Sequence, residues 1–153
     1  MSSINRRELM VLTGAALAAG VCGCASNGGA AGDAWTGPLR FELGPVSAIK
    51  QGVDARWEKS GGFFLVREGA KIFAVSAICS HKHCPLILKG NEYLCDCHGS
   101  TFTLAGVVQQ GPAFRSLQRF GLAVDAAGNL SLDRTRVFEE SQWGEAELKI
   151  KAL

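Results

Sequence analysis

Apolar positions along this chain fall into short runs punctuated by Gly and charged residues, and few of them repeat at helical spacing. Residues 38–43, P-L-R-F-E-L, alternate apolar with polar, the period of a strand. Residues 61–79, G-G-F-F-L-V-R-E-G-A-K-I-F-A-V-S-A-I-C, hold two apolar runs around a charged break that contains Gly. They predict a hairpin with arms at 63–67 and 71–78 and a turn at 68–70. The second arm runs into Cys79, so a strand aims the loop that this residue begins. N-E-Y-L at 91–94 predicts another short strand, ending on Cys95, and S-T-F-T-L-A-G-V-V at 100–108 predicts a turn with Gly106 at its tip. Residues 117–124 and 129–132 predict a last hairpin across A-A-G. The sum is an all-β fold, an antiparallel sandwich or barrel, with a lobe inserted from residue 79 to about 113. Residues 136–153 stay open: R-V-F-E-E-S-Q-W fits the start of a helix, and E-L-K-I-K alternates like a strand.

Composition narrows the picture. Nineteen glycines in 153 residues suit a loop-rich β protein. A net charge of +2 without a basic stripe argues against nucleic acid as a partner. At the N-terminus, Arg6 and Arg7 precede an Ala- and Gly-rich stretch with no charge from Leu9 to Gly32. N-R-R-E-L-M resembles a twin-arginine export signal, which stands apart from the folded domain. Its apolar stretch is marginal for a membrane span and reads either as an uncleaved anchor helix or as a lipoprotein signal. In the second case V-C-G-C at 21–24 resembles a lipobox with Cys24 as the acylated residue. The expected organisation is a signal or anchor at 1–25, a flexible linker at 26–37, a β domain at 38–135 and a tail at 136–153.

Two short runs carry the chemistry. C-S-H-K-H-C-P offers Cys79 and His81, and C-D-C-H-G-S offers Cys95 and His98. Cys84 has no His two residues on and Cys97 has none three residues on, so the register of the two mixed pairs is unique. Two thiolates and two imidazoles satisfy tetrahedral zinc. Zinc modules usually pair Cys with Cys and His with His, whereas here each run is mixed. A [2Fe–2S] centre with two Cys on one iron and two His on the other uses such a mixture, and zinc remains the alternative.

C-x-H followed by C-x-x-H-G-S resembles the Rieske iron–sulfur proteins, over residues 38–132. The resemblance implies one [2Fe–2S] cluster held by Cys79, His81, Cys95 and His98. Cys84 and Cys97 stand where Rieske subunits of cytochrome bc-type complexes form a disulfide between their two cluster loops. Gly111 and Pro112 match the loop that covers the cluster there. Ser100 and Phe102 stand where high-potential members have a Ser and a Tyr whose hydroxyls bond to sulfur. This chain keeps the first hydroxyl and lacks the second, which implies a lower potential. Imidazole ligands also couple electron uptake to proton uptake, so the potential is expected to fall with rising pH. A cluster inserted in the cytoplasm requires export of a folded domain, and a lasting disulfide requires an oxidising compartment. Both point to the periplasmic face of a bacterial cytoplasmic membrane.

The resemblance further implies an electron-transfer subunit rather than a stand-alone enzyme. Its expected partners are a cytochrome b-like or other redox subunit of a quinol oxidase, a c-type cytochrome acceptor, and the membrane. The family's first loop usually reads C-T-H-L-G-C, and its Leu helps dock the domain on cytochrome b. Lys82 and His83 stand there instead and suit a more polar partner. A second expectation is therefore a small Rieske subunit or lipoprotein of another periplasmic oxidoreductase, of the arsenite-oxidase kind. Pro85, Leu86, Ile87 and Phe102 are expected to shield the cluster, Trp35, Trp57 and Trp143 to pack or anchor, and Arg115 and Arg119 to be solvated strand residues.

Overall fold

The computed structural model describes residues 36–150. Arg6, Arg7, Cys24, nearly all of the expected linker, Trp35 and the last three residues lie outside the described residues. Among the described residues no helix is long and apolar enough to cross a membrane.

Two antiparallel sheets make up the domain. The larger contains β1 (Arg40–Pro45), β2 (Gly52–Asp54), β3 (Phe63–Glu68), β4 (Lys71–Ser76), β9 (Arg119–Val124), β10 (Asn129–Phe138) and β11 (Leu148–Lys149). Its order is β1-β10-β9-β4-β3-β2, with β11 joining β4 beside β9, and it curls into an open half-barrel. The smaller is a meander of β5 (Ile87–Lys89), β6 (Glu92–Leu94), β7 (Thr101–Thr103) and β8 (Val108–Gln110). It is inserted between β4 and β9, as the lobe expected from the sequence.

The β3–β4 hairpin explains how the two sheets share one molecule. Its arms are apolar at every position from Phe63 to Val66 and from Ile72 to Val75, so both faces are buried. Side chains alternate across a strand. Phe63, Leu65, Ile72 and Ala74 face one core with Phe120, Leu130 and Leu132. Phe64, Val66, Phe73 and Val75 face a second core with Leu86, Tyr93, Phe102 and Leu117 of the lobe. Burying such side chains contributes about 1.5–3 kcal/mol each. The hairpin turns at Gly69, whose φ of 58° lies in the left-handed region that Gly adopts without strain.

Several expectations shift. The first strand begins two residues later than its pattern suggested, at Arg40. The last strand runs on to Phe138, through the expected domain boundary at 135. A bulge between Asp133 and Val137 accommodates the extra residues. The tail contains both readings: a short helix (Trp143–Ala146) and then β11.

Arg119 corrects the sequence reading most sharply. It is 2 % exposed rather than solvated. Its guanidinium lies between the rings of Phe73, at 3.8 Å, and Trp143, at 4.1 Å. It donates to Glu147 Oε1 at 2.8 Å and to the Ala105 carbonyl at 3.0 Å. Lys71 Nζ adds a second ion pair to Glu147 at 3.0 Å. Burial alone would raise the Glu147 carboxyl, but the bonds from Lys71 and Arg119 outweigh it and hold the group below its ordinary value. A buried cation persists only when compensated in this way. The tail thereby grips the β7–β8 turn at the root of the lobe. Trp57 and Trp143 pack as expected, Trp57 stacked on Phe63 at 5.8 Å.

Candidate metal centre

The two ligand-bearing runs fold into the same turn. In the first, the Cys79 N–H donates to the Cys84 carbonyl (2.8 Å) and the Cys79 carbonyl accepts from His83 N–H (3.0 Å). In the second, the Cys95 N–H donates to the Ser100 carbonyl (2.9 Å) and the Cys95 carbonyl accepts from Gly99 N–H (2.8 Å). Each turn needs a left-handed residue at its fifth position. Gly99 supplies it at φ 78°, and His83 supplies it at φ 57°. A side chain in that conformation costs about 1–2 kcal/mol. The first loop therefore carries an exposed imidazole at the cost of local strain.

The loops are tied together from several sides. Cys84 and Cys97 form the disulfide that the resemblance implied, across a separation of 13 residues. The Sγ atoms of Cys84, Cys95 and Cys97 lie within 4.8 Å of one another, so the disulfide packs beside the free Cys95 thiol. The third loop carries Gly111 and Pro112, both exposed, and closes on the other two. Ala113 N–H donates to Ser100 Oγ at 3.0 Å, and Ser80 Oγ donates to the Arg115 carbonyl at 2.6 Å.

Within this frame the expected ligands meet as two pairs, one of thiols and one of imidazoles. Cys79 and Cys95 are each 1 % exposed and carry free thiols that interact with each other. The rings of His81 and His98 meet edge to face, with centroids 5.0 Å apart. His81 Nδ1 is buried without a hydrogen-bond partner. A buried imidazole nitrogen normally finds a partner, and a bound ion is one way to satisfy a nitrogen that has none within the protein. Burial pushes the Cys79 thiol up, and its Cys95 neighbour adds to this. The backbone N–H groups of His81 and Lys82 point at the same sulfur and favour its thiolate. The donor set thus fits an ion or cluster that takes two sulfurs on the buried side and two nitrogens toward the surface.

The remaining expected residues divide. Leu86 and Phe102 are fully buried in the core that contains Cys79 and Cys95. Pro85, which precedes β5, and Ile87, at its start, are exposed to solvent instead. Ser100 is fully buried, and its oxygen accepts from Ala113, which leaves its own hydrogen free to donate. Phe102 pairs across the sheet with Tyr93, whose hydroxyl donates to the Leu104 carbonyl at 3.1 Å. That hydroxyl is therefore engaged away from the thiols. Ser80 went unnoticed in the sequence. Its role depends on Arg115, 35 residues away, and no local pattern signals it.

Comparison with known proteins adds the cofactor. A family model described as the Rieske [2Fe-2S] domain matches residues 40–121. The cytochrome b6-f complex iron-sulfur subunit of Prochlorococcus marinus (strain MIT 9211) is 34% identical over 91 residues, which are 56% of this chain and 46% of that protein. The same subunit of Parasynechococcus marenigrum (strain WH8102) is 34% identical with the same coverage. The chain thus spans about half the length of these relatives. The crystal structure of the cyanobacterial plasma membrane Rieske protein PetC3 from Synechocystis PCC 6803 aligns with a TM-score of 0.44 and 23% identity. That alignment covers 61% of this chain and 98% of the other. One [2Fe–2S] cluster is the cofactor, and the structural zinc reading is set aside.

Proposed function

Because this chain belongs to the Rieske [2Fe-2S] domain family, we propose that it is an electron-transfer protein in which Cys79 and Cys95 hold one iron and His81 and His98 the other. The observation that carries the assignment is the pairing of two buried free thiols with two facing imidazoles, one of them with an orphaned buried nitrogen. The cluster supplies one-electron chemistry, at a potential that nitrogen ligation raises relative to an all-thiolate centre. The chain's own residues do the rest. Leu86 and Phe102 exclude water from the thiol side. Ser100 holds a hydroxyl ready to donate toward sulfur, and the amides of His81 and Lys82 already do so at Cys79. Donors of this kind stabilise added negative charge. His98 is exposed and His81 partly so, which gives a partner access to the imidazole side.

Within that reading, the protein serves as the iron–sulfur subunit of a cytochrome bc-like quinol oxidase. It works beside a cytochrome b-like subunit, passes electrons to a c-type cytochrome and is tethered at the periplasmic face after twin-arginine export. Relatedness to cytochrome b6-f iron-sulfur subunits supports it. Lys82 and His83, both exposed where the family carries an apolar residue and Gly, favour a second reading: a small Rieske subunit of another periplasmic oxidoreductase, of the arsenite-oxidase kind. Affinity purification of the tagged full chain from detergent-solubilised membranes separates them. Haem-b-containing subunits should accompany it in the first case and a molybdenum-containing subunit in the second. Mössbauer spectroscopy of isotopically enriched protein should show two inequivalent irons, and equivalent irons would overturn the ligand assignment.

A further inference from the structure

We propose that the tip of the lobe is a docking surface for an acidic redox protein, which seats on Phe114 and is steered by Lys82 and Arg115. The inference rests on the electron-transfer reading above and names the chemistry of its partner. Phe114 is 77 % exposed, more than any other large apolar side chain among the described residues. Exposed aromatic side chains on a rigid frame are typical anchors of protein interfaces. The frame here is rigid on both sides. Ala113, before it, is bonded to Ser100 of the second ligand loop, and Arg115, after it, is bonded to Ser80 of the first. Phe114 is therefore pinned between the loops that carry the four ligands.

Charge selects the partner. Residues 79–84, 95–100 and 111–116 contain two permanent cations, Lys82 and Arg115, and one acid, Asp96. All three are exposed, and among the described residues none of them forms an ion pair. The Arg115 guanidinium lies 5.4 Å from the centre of the Phe114 ring, so the cation borders the apolar contact itself. Lys82 follows His81 directly, and His81 meets the exposed His98. A partner with carboxylates around an apolar spot gains attraction at both cations and is brought against the imidazoles. A partner with a basic face meets repulsion there.

The test uses the cluster-loaded full chain, reduced, and two oxidants that differ in charge: a cationic c-type cytochrome and the same cytochrome succinylated to an anionic form. In stopped-flow mixing at low ionic strength the anionic form should react roughly tenfold faster, an advantage that fades as salt is added. Lys82→Glu and Arg115→Glu should each shrink or reverse that preference. Phe114→Ser should slow both oxidants while the reduction potential and the electron paramagnetic resonance spectrum stay unchanged. A faster cationic form, or rates indifferent to salt, would overturn the proposal. So would co-sedimentation with phosphatidylglycerol vesicles that Phe114→Ser and Lys82→Glu abolish, since the tip would then be a membrane contact. If neither cytochrome is reduced although the cluster spectrum is intact, the electron-transfer reading itself fails.

Discussion

The half-barrel and the lobe are both antiparallel sheets, yet they are held by different means. Half-barrel strands reach ten residues, in β10, and their side chains fill a core of contiguous apolar contacts. The four lobe strands have three residues each. Strands this short bury little, and only one side of their sheet rests on the hairpin core. The lobe compensates with cross-links: a disulfide, the Ser80–Arg115 and Ser100–Ala113 bonds, and ligands drawn from two loops. Burial is non-directional and tolerates loose geometry, whereas a metal centre needs fixed directions. The lobe has exchanged hydrophobic mass for geometric constraint.

The largest effect should come from removing a ligand. Cys95→Ser is expected to abolish cluster binding, seen as complete loss of visible absorbance and bound iron. Hydrogen exchange should then show fast amides throughout β5–β8 and protection retained in β3, β4, β9 and β10. Uniform loss of protection would break the contrast between the two regions.

Arg119→Ala tests the brace that joins them. It leaves Glu147 and Lys71 without the buried partner and should cost about 3 kcal/mol in denaturant unfolding. Because Arg119 also bonds the Ala105 carbonyl, cluster loss on heating should accelerate in the same variant.

Cys84→Ser should act on the lobe alone. Opening a loop of this size removes about 3 kcal/mol of constraint. The cluster should assemble but be released sooner, with half-barrel exchange unchanged. Destabilisation of β9 and β10 by that variant would show that the regions are not independent.

Acid offers a milder probe of the brace. The Glu147 carboxyl is held below its ordinary value of 4.5, so its contribution to stability is full above that pH and is lost as pH falls through the lower folded value. Thermal denaturation between pH 6 and 3 should show a decline below about 4.5 that Glu147→Gln reduces. The smallest effect is expected at Phe102→Tyr. A new hydroxyl bonded to sulfur is worth about 1 kcal/mol, or roughly 40 mV for one electron. Voltammetry should show the potential rise, and an unchanged value would mean that the hydroxyl does not reach sulfur.

Legibility of the fold followed strand length and burial. The β3–β4 hairpin is readable because its apolar runs are long and its turn carries Gly. β2 and β5 have only three residues each and leave no periodic trace. The ligand pairs are readable because their spacing is local. Ser80 and Arg119 are not, since each acts through a partner distant in the chain. An Arg in an alternating strand reads as solvent-facing until a Trp and a Glu from the tail close over it.

Local pattern by itself determined the hairpin, the place of the inserted lobe and the two mixed Cys/His turns, since strand period and ligand spacing are properties of neighbouring residues. Tertiary structure alone decided that the tail braces the lobe through Arg119, that Leu86 and Phe102 are buried in the core with the thiols while Pro85 and Ile87 are exposed, and that Phe114 stands exposed between the two ligand loops. Those outcomes depend on which surfaces meet after the chain has folded. Burial and charge compensation are set by that meeting, between segments that carry no mark of one another in sequence.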